Sequence, residues 1–220
     1  MQVIITGASG MVGGLVLREC LQRADVERVT AIVRRPLGVS HAKLNEVVHP
    51  DLRDMAPIAG ALHGQDVCFY CIGVYTGAVP AAEFRRITVD DTLAFARALK
   101  AASPAVAFCL LSGDGADRTE KSRFIFARDK GAQENGLVAL GFGRFHAFRP
   151  GYIYPVEPRK EPNFSYQLMR ALYKPLIARL APRSSVRSTE LAHAMVRIGL
   201  EGGAQEIYSN TDIQREALNG

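Results

Sequence analysis

Short apolar runs alternate along this chain with longer segments in which apolar residues recur every three or four positions. The runs have the length of β-strands, and their nearly continuous apolar character is typical of strands covered on both faces of a sheet. The predicted strands are Gln2–Thr6, Val29–Val33, Glu46–His49, Val67–Ile72, Ala105–Leu111, Phe142–Phe148 and Gln205–Ser209.

The intervals between these strands have helical periodicity. The first helix follows the glycines after Thr6 and places Val12, Val16 and Cys20 on one face. The other predicted helices are Asp54–Leu62, Glu83–Ala102, Ser122–Val138, Ser165–Leu180 and Ser188–Leu200, the last with Ser188 as its cap. Strands that alternate with helices predict an α/β fold, a doubly wound parallel sheet of the Rossmann type with helices on both faces.

One domain is expected over residues 1–220, because a chain of this length can bury one substantial core. The alternation weakens after Arg149-Pro150-Gly151, and residues 156–163, with their prolines and charges, are predicted to form a loop. We expect residues 151–200 to form most of a small C-terminal region that acts as a lid on the substrate side.

The turn after the first predicted strand carries three glycines, Gly7, Gly10 and Gly13, at G-x-x-G-x-x-G spacing. In such a turn the first glycine permits a sharp bend, the second lets the main chain approach a pyrophosphate, and the third lets the helix pack on the sheet. The helix N-terminus also attracts phosphate. This context predicts a dinucleotide site rather than a purely structural turn. Its predicted residues are Gly7, Ala8, Ser9, Gly10, Met11, Val12 and Gly13.

The second predicted strand ends in two arginines, Arg34 and Arg35. A site that prefers NAD(H) usually has an acidic residue here, which accepts hydrogen bonds from the ribose 2′-hydroxyl. Guanidinium groups instead suit a 2′-phosphate. The sequence therefore favours NADP(H) over NAD(H), although both arginines could simply be exposed to solvent.

Two further strand ends point to the same site. Asp51 could accept a hydrogen bond from an adenine amino group while Leu52 packs on the ring, but Asp51 could equally only begin the next helix. After the fourth strand, Cys71 and Ile72 lead into Gly73. A glycine there would let the adenosine part of a cofactor pass close to the main chain.

These motifs, in this order, resemble those of the atypical short-chain dehydrogenase/reductase superfamily, in particular its Tat-interacting-protein-like and NmrA-like NAD(P)-binding branches. The resemblance extends over nearly the whole chain and also places Pro150, Gly151 and Tyr152 at the cofactor. Besides the glycine-rich turn, it rests on Val33-Arg34-Arg35, Asp51-Leu52, Cys71-Ile72-Gly73, Leu111-Ser112, Lys130-Gly131, Phe148-Arg149-Pro150-Gly151 and Ser188-Thr189-Glu190-Leu191-Ala192.

The resemblance implies a catalytic set of serine, tyrosine and lysine, the last two spaced Y-x-x-x-K. Ser112 matches the serine that holds the substrate carbonyl, and Lys130 matches the lysine that also holds the nicotinamide ribose. The tyrosine position is Phe126, and Thr88 stands where the family often has asparagine. Phenylalanine has no proton to transfer, and a positioned acid or base contributes about 10²–10⁴-fold. Ordinary carbonyl reduction should therefore be severely impaired, whereas folding and cofactor binding should not.

Two functions stay open at this point. The favoured one is an NADP(H)-dependent oxidoreductase of unknown substrate, because Ser112 and Lys130 remain. Phe126 favours the alternative, a non-catalytic NADP(H)-binding regulator or scaffold. Tyr75 and Tyr152 follow predicted strands and could replace the missing acid, but packing or substrate contact explains each of them better.

Composition and charge narrow the range of partners. The formal net charge is +5, and residues 151–200 hold eight Lys and Arg against three Asp and Glu. A solvated basic face is the favoured interpretation of this excess. That segment has no recognised nucleic-acid-reading motif, so a nucleic-acid partner is disfavoured. The expected partner is a small-molecule substrate of unknown identity, and both a monomer and a homodimer stay open.

No apolar stretch approaches the length that crosses a bilayer, and the N-terminus lacks the basic region of a signal peptide. We therefore expect a cytoplasmic protein without a membrane partner. Cys68 and Cys71 form a C-x-x-C pattern, but residues three apart on a strand point to opposite faces. This geometry argues against a metal site or a redox pair there.

Overall fold

The computed structural model describes residues 1–157 and 184–218. Its strands are β1 (Gln2–Thr6), β2 (Arg28–Val33), β3 (Leu44–Val48), β4 (Val67–Tyr70), β5 (Ala107–Leu111), β6 (Arg144–Arg149), β7 (Tyr152–Tyr154), β8 (Ser185–Arg187) and β9 (Ile207–Ser209). Its helices are α1 (Met11–Gln22), α2 (Ala81–Arg85), α3 (Asp91–Ala102), α4 (Ile125–Ala139), α5 (Ser188–Glu201) and α6 (Asn210–Leu218), with a 3₁₀ helix at Ala56–Leu62 and a π-helical turn at Arg86–Asp90.

The central sheet confirms the predicted α/β fold. Seven strands lie in the order β3-β2-β1-β4-β5-β6-β9, and all neighbouring pairs are parallel. Side chains of β1 alternate between two apolar cores. Val3 and Ile5 pack in the core that includes α1 and α5, whereas Ile4 packs in the core that includes α3 and α4. Because both faces are covered, the central strands β4 and β5 consist of apolar residues and are almost fully buried.

The order in which the chain adds strands to the sheet reverses between β1 and β4. From β1 the chain continues to β2 and β3 on one side of the sheet, and from β4 it continues to β5, β6 and β9 on the other. In open parallel sheets, ligands bind in the crevice beyond the carboxyl ends of the strands at such a reversal. Thr6 and Tyr70 are paired at the ends of β1 and β4, so the crevice begins directly beyond them.

Two element bounds differ from the sequence prediction around this crevice. Strand β4 ends at Tyr70 rather than Ile72, because its neighbour β1 ends at Thr6. The last bond between the two strands is donated by the Cys71 N–H to the Thr6 carbonyl, at 3.1 Å. The helix predicted over residues 54–62 is a 3₁₀ helix, and Ile58 within it has non-helical dihedral angles. Cys68 and Cys71 do lie in different cores, on opposite faces of the sheet, as predicted.

The long helix predicted over Glu83–Ala102 begins earlier, at Ala81, and is interrupted by the π-helical turn. Within this turn the Thr88 carbonyl accepts a bond from the Thr92 hydroxyl at 2.9 Å. One wider turn changes the main-chain bonding without ending the helix, so the spacing of apolar residues does not reveal it.

Two helix starts also differ. Helix α4 begins at Ile125 rather than Ser122, because the Asp117 carboxylate accepts bonds from the Thr119 and Ser122 N–H groups and holds a turn there. Such side-chain bonds to the main chain compete with helix formation.

The predicted cap Ser188 is the first residue of α5, and Arg187 is the N-cap. The Arg187 N–H donates to the Glu190 carboxylate at 2.9 Å, which satisfies one main-chain donor at this end. The Ser188 hydroxyl instead accepts a bond from the Val156 N–H at 3.2 Å, so it joins the chain after β7 to α5.

The sequence analysis did not find β7, β8 or α6. Strands β7 and β8 pair in parallel over three residues each, too few to show a pattern. The predicted helix Ser165–Leu180, most of the predicted loop at 156–163 and half of the predicted lid lie outside the described residues. In the part that is described, no helix has both the length and the apolar character of a membrane span.

Candidate functional site

Two glycines of the turn after β1 occupy positions with no room for a side chain. Gly7 has a φ angle of +74°, and a Cβ there would lie 2.7 Å from the carbonyl carbon of Cys71. A Cβ on Gly13 would lie 2.2 Å from the carbonyl oxygen of Gly7. Both distances are far below van der Waals contact, so glycine is required for α1 to pack this close to the crevice.

Gly10 is the N-cap of α1, and no side-chain hydrogen bond caps this helix end. Its N–H donates to the Gly7 carbonyl at 2.9 Å, and its carbonyl accepts a bond from the Gly14 N–H at 2.9 Å. The first N–H groups of a helix have no partner inside the helix. Without a side-chain cap, the positive end of α1 is suited to an anion held by main-chain groups.

A cleft of about 890 Å³ opens beside this turn. Ser9 and Gly10 line it together with Arg34 and Arg35, which follow β2. This volume is in the range of small-molecule sites. Both arginines are exposed, and neither forms an ion pair within residues 1–157 and 184–218. Two positive charges without a protein counter-ion in this part of the chain therefore lie beside the N-terminus of α1.

A third arginine of the cleft is already paired. Arg18 on α1 binds the Glu157 carboxylate at 2.5 Å, and both side chains line the cleft. Arg18 is therefore a weaker candidate for holding a phosphate than Arg34 or Arg35.

The segment after β4 begins with Cys71, whose main chain packs against Gly7. Ile72 is half-buried and Gly73 is exposed. A Cβ built on Gly73 meets no atom within 4 Å, so the space beside it is open. The structure is compatible with the predicted passage of a cofactor here.

Asp51 is engaged by a neighbour. Its carboxylate accepts a bond from the Arg53 guanidinium at 3.0 Å, and this bond lowers the pKa of Asp51 to about 2. An adenine amino group would share the carboxylate with Arg53. Leu52 packs partly against the core that includes α3. The predicted role of both residues at the adenine stays a prediction.

The turn after β6 is fixed from two sides. The Pro150 carbonyl accepts a bond from the Asp114 N–H at 2.9 Å, and the Gly151 N–H donates to the Asn210 side chain at 2.9 Å. Tyr152 begins β7 and is half-buried. These bonds join the turn to the loop after β5 and to α6, on the same edge of the sheet as the glycine-rich turn.

The Ser112 hydroxyl is committed to a buried carboxylate. It donates to Glu134 at 2.5 Å, and Glu134 also accepts bonds from Arg149 at 2.9 Å and Arg118 at 2.8 Å. Burial acts to raise the pKa of Glu134, but the bonds from Arg149, Ser112 and Arg118 outweigh it and hold this pKa below its ordinary value. The Ser112 proton is therefore directed at an ionised carboxylate and is not available to a substrate carbonyl.

Lys130 on α4 is only 6% exposed, and its amine reaches the end of β5. Its amine donates to the Leu111 carbonyl at 3.1 Å and to the Gln133 side-chain oxygen at 3.0 Å. Burial lowers the pKa of Lys130 to about 8, although the nearby Glu134 carboxylate acts in the opposite direction. The amine is therefore mostly protonated near neutral pH.

The Phe126 ring lies against the main chain of Gly113. A Cβ on Gly113 would lie 2.5 Å from the Cζ atom of the ring. A hydroxyl added at that carbon would meet Gly113 unless the ring turned. The ring therefore fills space at the position where the family has its proton donor. A proton-transfer role for Tyr75 or Tyr152 stays a prediction.

The sequence analysis missed the buried polar face of α4. The spacing of its residues places them on one side of the helix. The face consists of Asp129, Lys130, Gln133 and Glu134, all of them buried. Charged residues usually indicate a solvent-exposed face, which is why the pattern was misleading. The sequence does contain one indication, because Arg149 lies at the end of the apolar strand β6 and a charge there needs a partner of opposite sign. That partner is Glu134.

Residues 7–200 match a protein family described as NAD(P)H-binding. The chain belongs to this family. The matched segment begins at the first glycine of the turn after β1 and includes α4 and α5. The predicted membership of an NAD(P)-binding family is thereby confirmed.

Two curated relatives match an equal share of the chain. The rat protein HTATIP2 is 35% identical over 153 residues, which are 69% of this chain and 62% of the relative. The protein fmp52, mitochondrial, of Emericella nidulans is 34% identical over 157 residues, 69% of this chain and 66% of the relative. The match thus spans slightly less than two thirds of the length of these relatives.

A solved structure supports the fold. The Bordetella bronchiseptica enzyme WbmH in complex with NAD⁺ has a TM-score of 0.70 to this chain at 18% identity. The similarity covers 94% of this chain and 74% of WbmH.

We expect Gly10→Asp to abolish NADPH binding without unfolding the protein. Aspartate is a favoured N-cap residue, so α1 should tolerate it, with a shift of a few tenths of an ångström at the Cβ that lies 3.1 Å from the Gly7 oxygen. Its charge would repel a pyrophosphate at the same place. Gly10→Asn is the matched neutral control, of similar size and capping ability. Calorimetric titration with NADPH should show a loss at least about tenfold larger for Asp than for Asn, and equal losses would contradict the site.

We expect Glu134→Gln to destabilise the protein near pH 7 by about 3 kcal/mol, because it removes the counter-ion of the partly buried Arg149 and one of the two carboxylates that bind Arg118. The folded pKa of Glu134 is lowered, so its stabilisation is present above the ordinary value of 4.5 and is lost as the pH falls through the folded value. The difference between variant and wild type should therefore shrink at acid pH. Glu206→Gln is the control, because Glu206 also binds Arg118 but is exposed. Denaturant unfolding at both pH values measures this effect, and a pH-independent difference would contradict it.

Proposed function

We propose that this chain is an NADP(H)-dependent oxidoreductase whose hydride acceptor takes its proton from water rather than from the protein. The observation that carries the proposal is a site with a built cofactor cradle in which, within residues 1–157 and 184–218, neither Ser112 nor Phe126 offers a proton to a substrate. Gly7 and Gly13 admit no side chain, whereas Phe126 has no hydroxyl and Ser112 donates to Glu134.

The residues at the crevice fit a dinucleotide. The main chain of the glycine-rich turn leaves room for a pyrophosphate, and the uncapped end of α1 adds a positive dipole. When bound, a reduced nicotinamide cofactor supplies a hydride. Arg34 and Arg35 favour the phosphorylated form, because they present two guanidinium groups at the position where NAD(H) sites place a carboxylate.

The neighbouring side chains limit the acceptor that this site can serve. A carbonyl that accepts a hydride becomes an alkoxide and needs a proton at once, which a positioned acid normally provides. A conjugated ring system such as a flavin or a quinone can instead hold the added electron pair as a delocalised anion and then take a proton from water. The contacts of Ser112 and Phe126 favour the second kind of acceptor.

A non-catalytic NADP(H)-binding regulator or scaffold is the second candidate. The bond from Ser112 to Glu134 and the packing of Phe126 on Gly113 support it as well, because both replace catalytic contacts with structural ones. Lys130 is compatible with either function, since the family's lysine also holds the nicotinamide ribose.

Other expectations stay predictions. They include a small-molecule substrate of unknown identity, the absence of nucleic-acid and membrane partners, and a monomeric or homodimeric state. We also retain a cytoplasmic location, although the fungal relative carries the word mitochondrial in its name.

Replacing both Arg34 and Arg35 with glutamine should weaken NADPH binding about 10- to 100-fold, as expected for losing charge-assisted hydrogen bonds to a phosphate. NADH binding should change by less than about threefold, because NADH lacks the 2′-phosphate. Arg28→Gln is the control, because Arg28 is an exposed arginine at the opposite end of β2 from Arg34 and Arg35. Equal losses for both cofactors would contradict the preference for NADP(H).

The acceptor is tested by following NADPH oxidation in the presence of FMN, a benzoquinone or a panel of aldehydes and ketones. We expect turnover with a flavin or quinone and none with the carbonyl compounds. The Gly10→Asp variant serves as the control and should abolish turnover. Carbonyl reduction by the wild type would contradict the proposed chemistry. Tight NADPH binding without turnover on any of these acceptors would favour the regulator.

A further inference from the structure

A chain of buried hydrogen bonds connects Lys130 to the π-helical turn. The Lys130 amine donates to the Gln133 oxygen at 3.0 Å, and the Gln133 nitrogen donates to the Thr92 hydroxyl at 2.9 Å. The Thr92 hydroxyl donates to the Thr88 carbonyl at 2.9 Å. Gln133 and Thr92 are fully buried, and Thr88 is 5% exposed.

The direction of each bond in this chain is determined. An ammonium can only donate, so Gln133 must present its oxygen to Lys130 and its nitrogen to Thr92. Thr92 then receives one bond and gives its own proton to the Thr88 carbonyl, which is available within the π-helical turn. A buried chain of bonds in which each donor and acceptor has one role favours one arrangement over others.

We propose that Gln133 is a positioning residue that holds the Lys130 ammonium in one orientation at the end of β5, with the π-helical turn as its support. Two of the three hydrogens of the amine are placed on Gln133 and on the Leu111 carbonyl. The direction of the third hydrogen is thereby set toward whatever Lys130 binds. The inference rests on the proposed function only for that ligand, the ribose of the bound cofactor.

Gln133 also helps to keep the buried amine charged. Burial disfavours the charged form, and the groups that act on it are Glu134 on α4 and Cys71 after β4. Glu134 also binds Arg149 and Arg118, and their positive charges partly offset its attraction for the Lys130 ammonium. A carbonyl-type oxygen at 3.0 Å stabilises an ammonium directly.

The test measures the pKa of Lys130 in the protein without cofactor. The chain has six lysines, so labelling their ε-carbons with ¹³C gives few NMR signals, and Lys130→Arg identifies the one of interest. Gln133→Leu should lower this pKa by about one unit, and Gln133→Glu should raise it by at least about as much. A residue that only fills space would not shift the two variants in opposite directions. An unchanged pKa in Gln133→Leu would overturn the proposal, even if Gln133→Glu raised it, because a new carboxylate alone raises the pKa of a neighbouring amine.

A second pair of variants covers the case in which Gln133→Leu does not fold. Thr92→Val keeps the volume but removes the hydroxyl that orients Gln133, whereas Thr92→Ser keeps the hydroxyl. The valine variant should lower the Lys130 pKa and the serine variant should leave it close to the wild-type value. Equal values in both would overturn the proposal. A failure of NADPH binding in the wild type would instead contradict the proposed function and leave these titrations interpretable.

Discussion

The site depends on one steric constraint, the close approach of main chain to main chain where the strand order reverses. Gly7 and Gly13 leave no room for a Cβ between the start of α1 and the Cys71 segment after β4. This contact brings the positive end of α1 to the crevice between β1 and β4. Arg34 and Arg35 lie on the cleft beside it because β2 is the neighbour of β1 and ends at the same edge.

The second half of the site is organised by charge. Helix α4 turns a face of ionisable and amide side chains toward the sheet, where an unpaired charge would cost several kcal/mol. Glu134 therefore binds two arginines and Ser112, and Lys130 binds Gln133 and a main-chain carbonyl. These bonds make the burial of the Glu134 charge tolerable. They also direct the Ser112 hydroxyl proton to Glu134 rather than to a substrate carbonyl.

How far the sequence predicts the site differs between its two halves. The glycine-rich turn was predictable because its residues are consecutive and each has a local conformational reason to be glycine. The sequence also showed Phe126 at the position where the resemblance implies a tyrosine. The partner of Ser112 was not, because Glu134 is far along the chain from Ser112 and its charge suggested solvent exposure. The predicted capping role of Ser188 was wrong because its hydroxyl binds Val156 instead.

The sequence by itself determined the parallel α/β fold and the position of the glycine-rich turn between the first strand and the first helix, since these follow from short-range periodicity and from glycine spacing. Only the tertiary structure decided which side chains face one another across α4, the ends of β5 and β6, and the π-helical turn. Hydrogen bonds between residues distant in sequence, such as that from Gln133 to Thr92, depend on how helices are rotated about their axes. Helix rotation is set by the packing of the whole core, which no local pattern encodes.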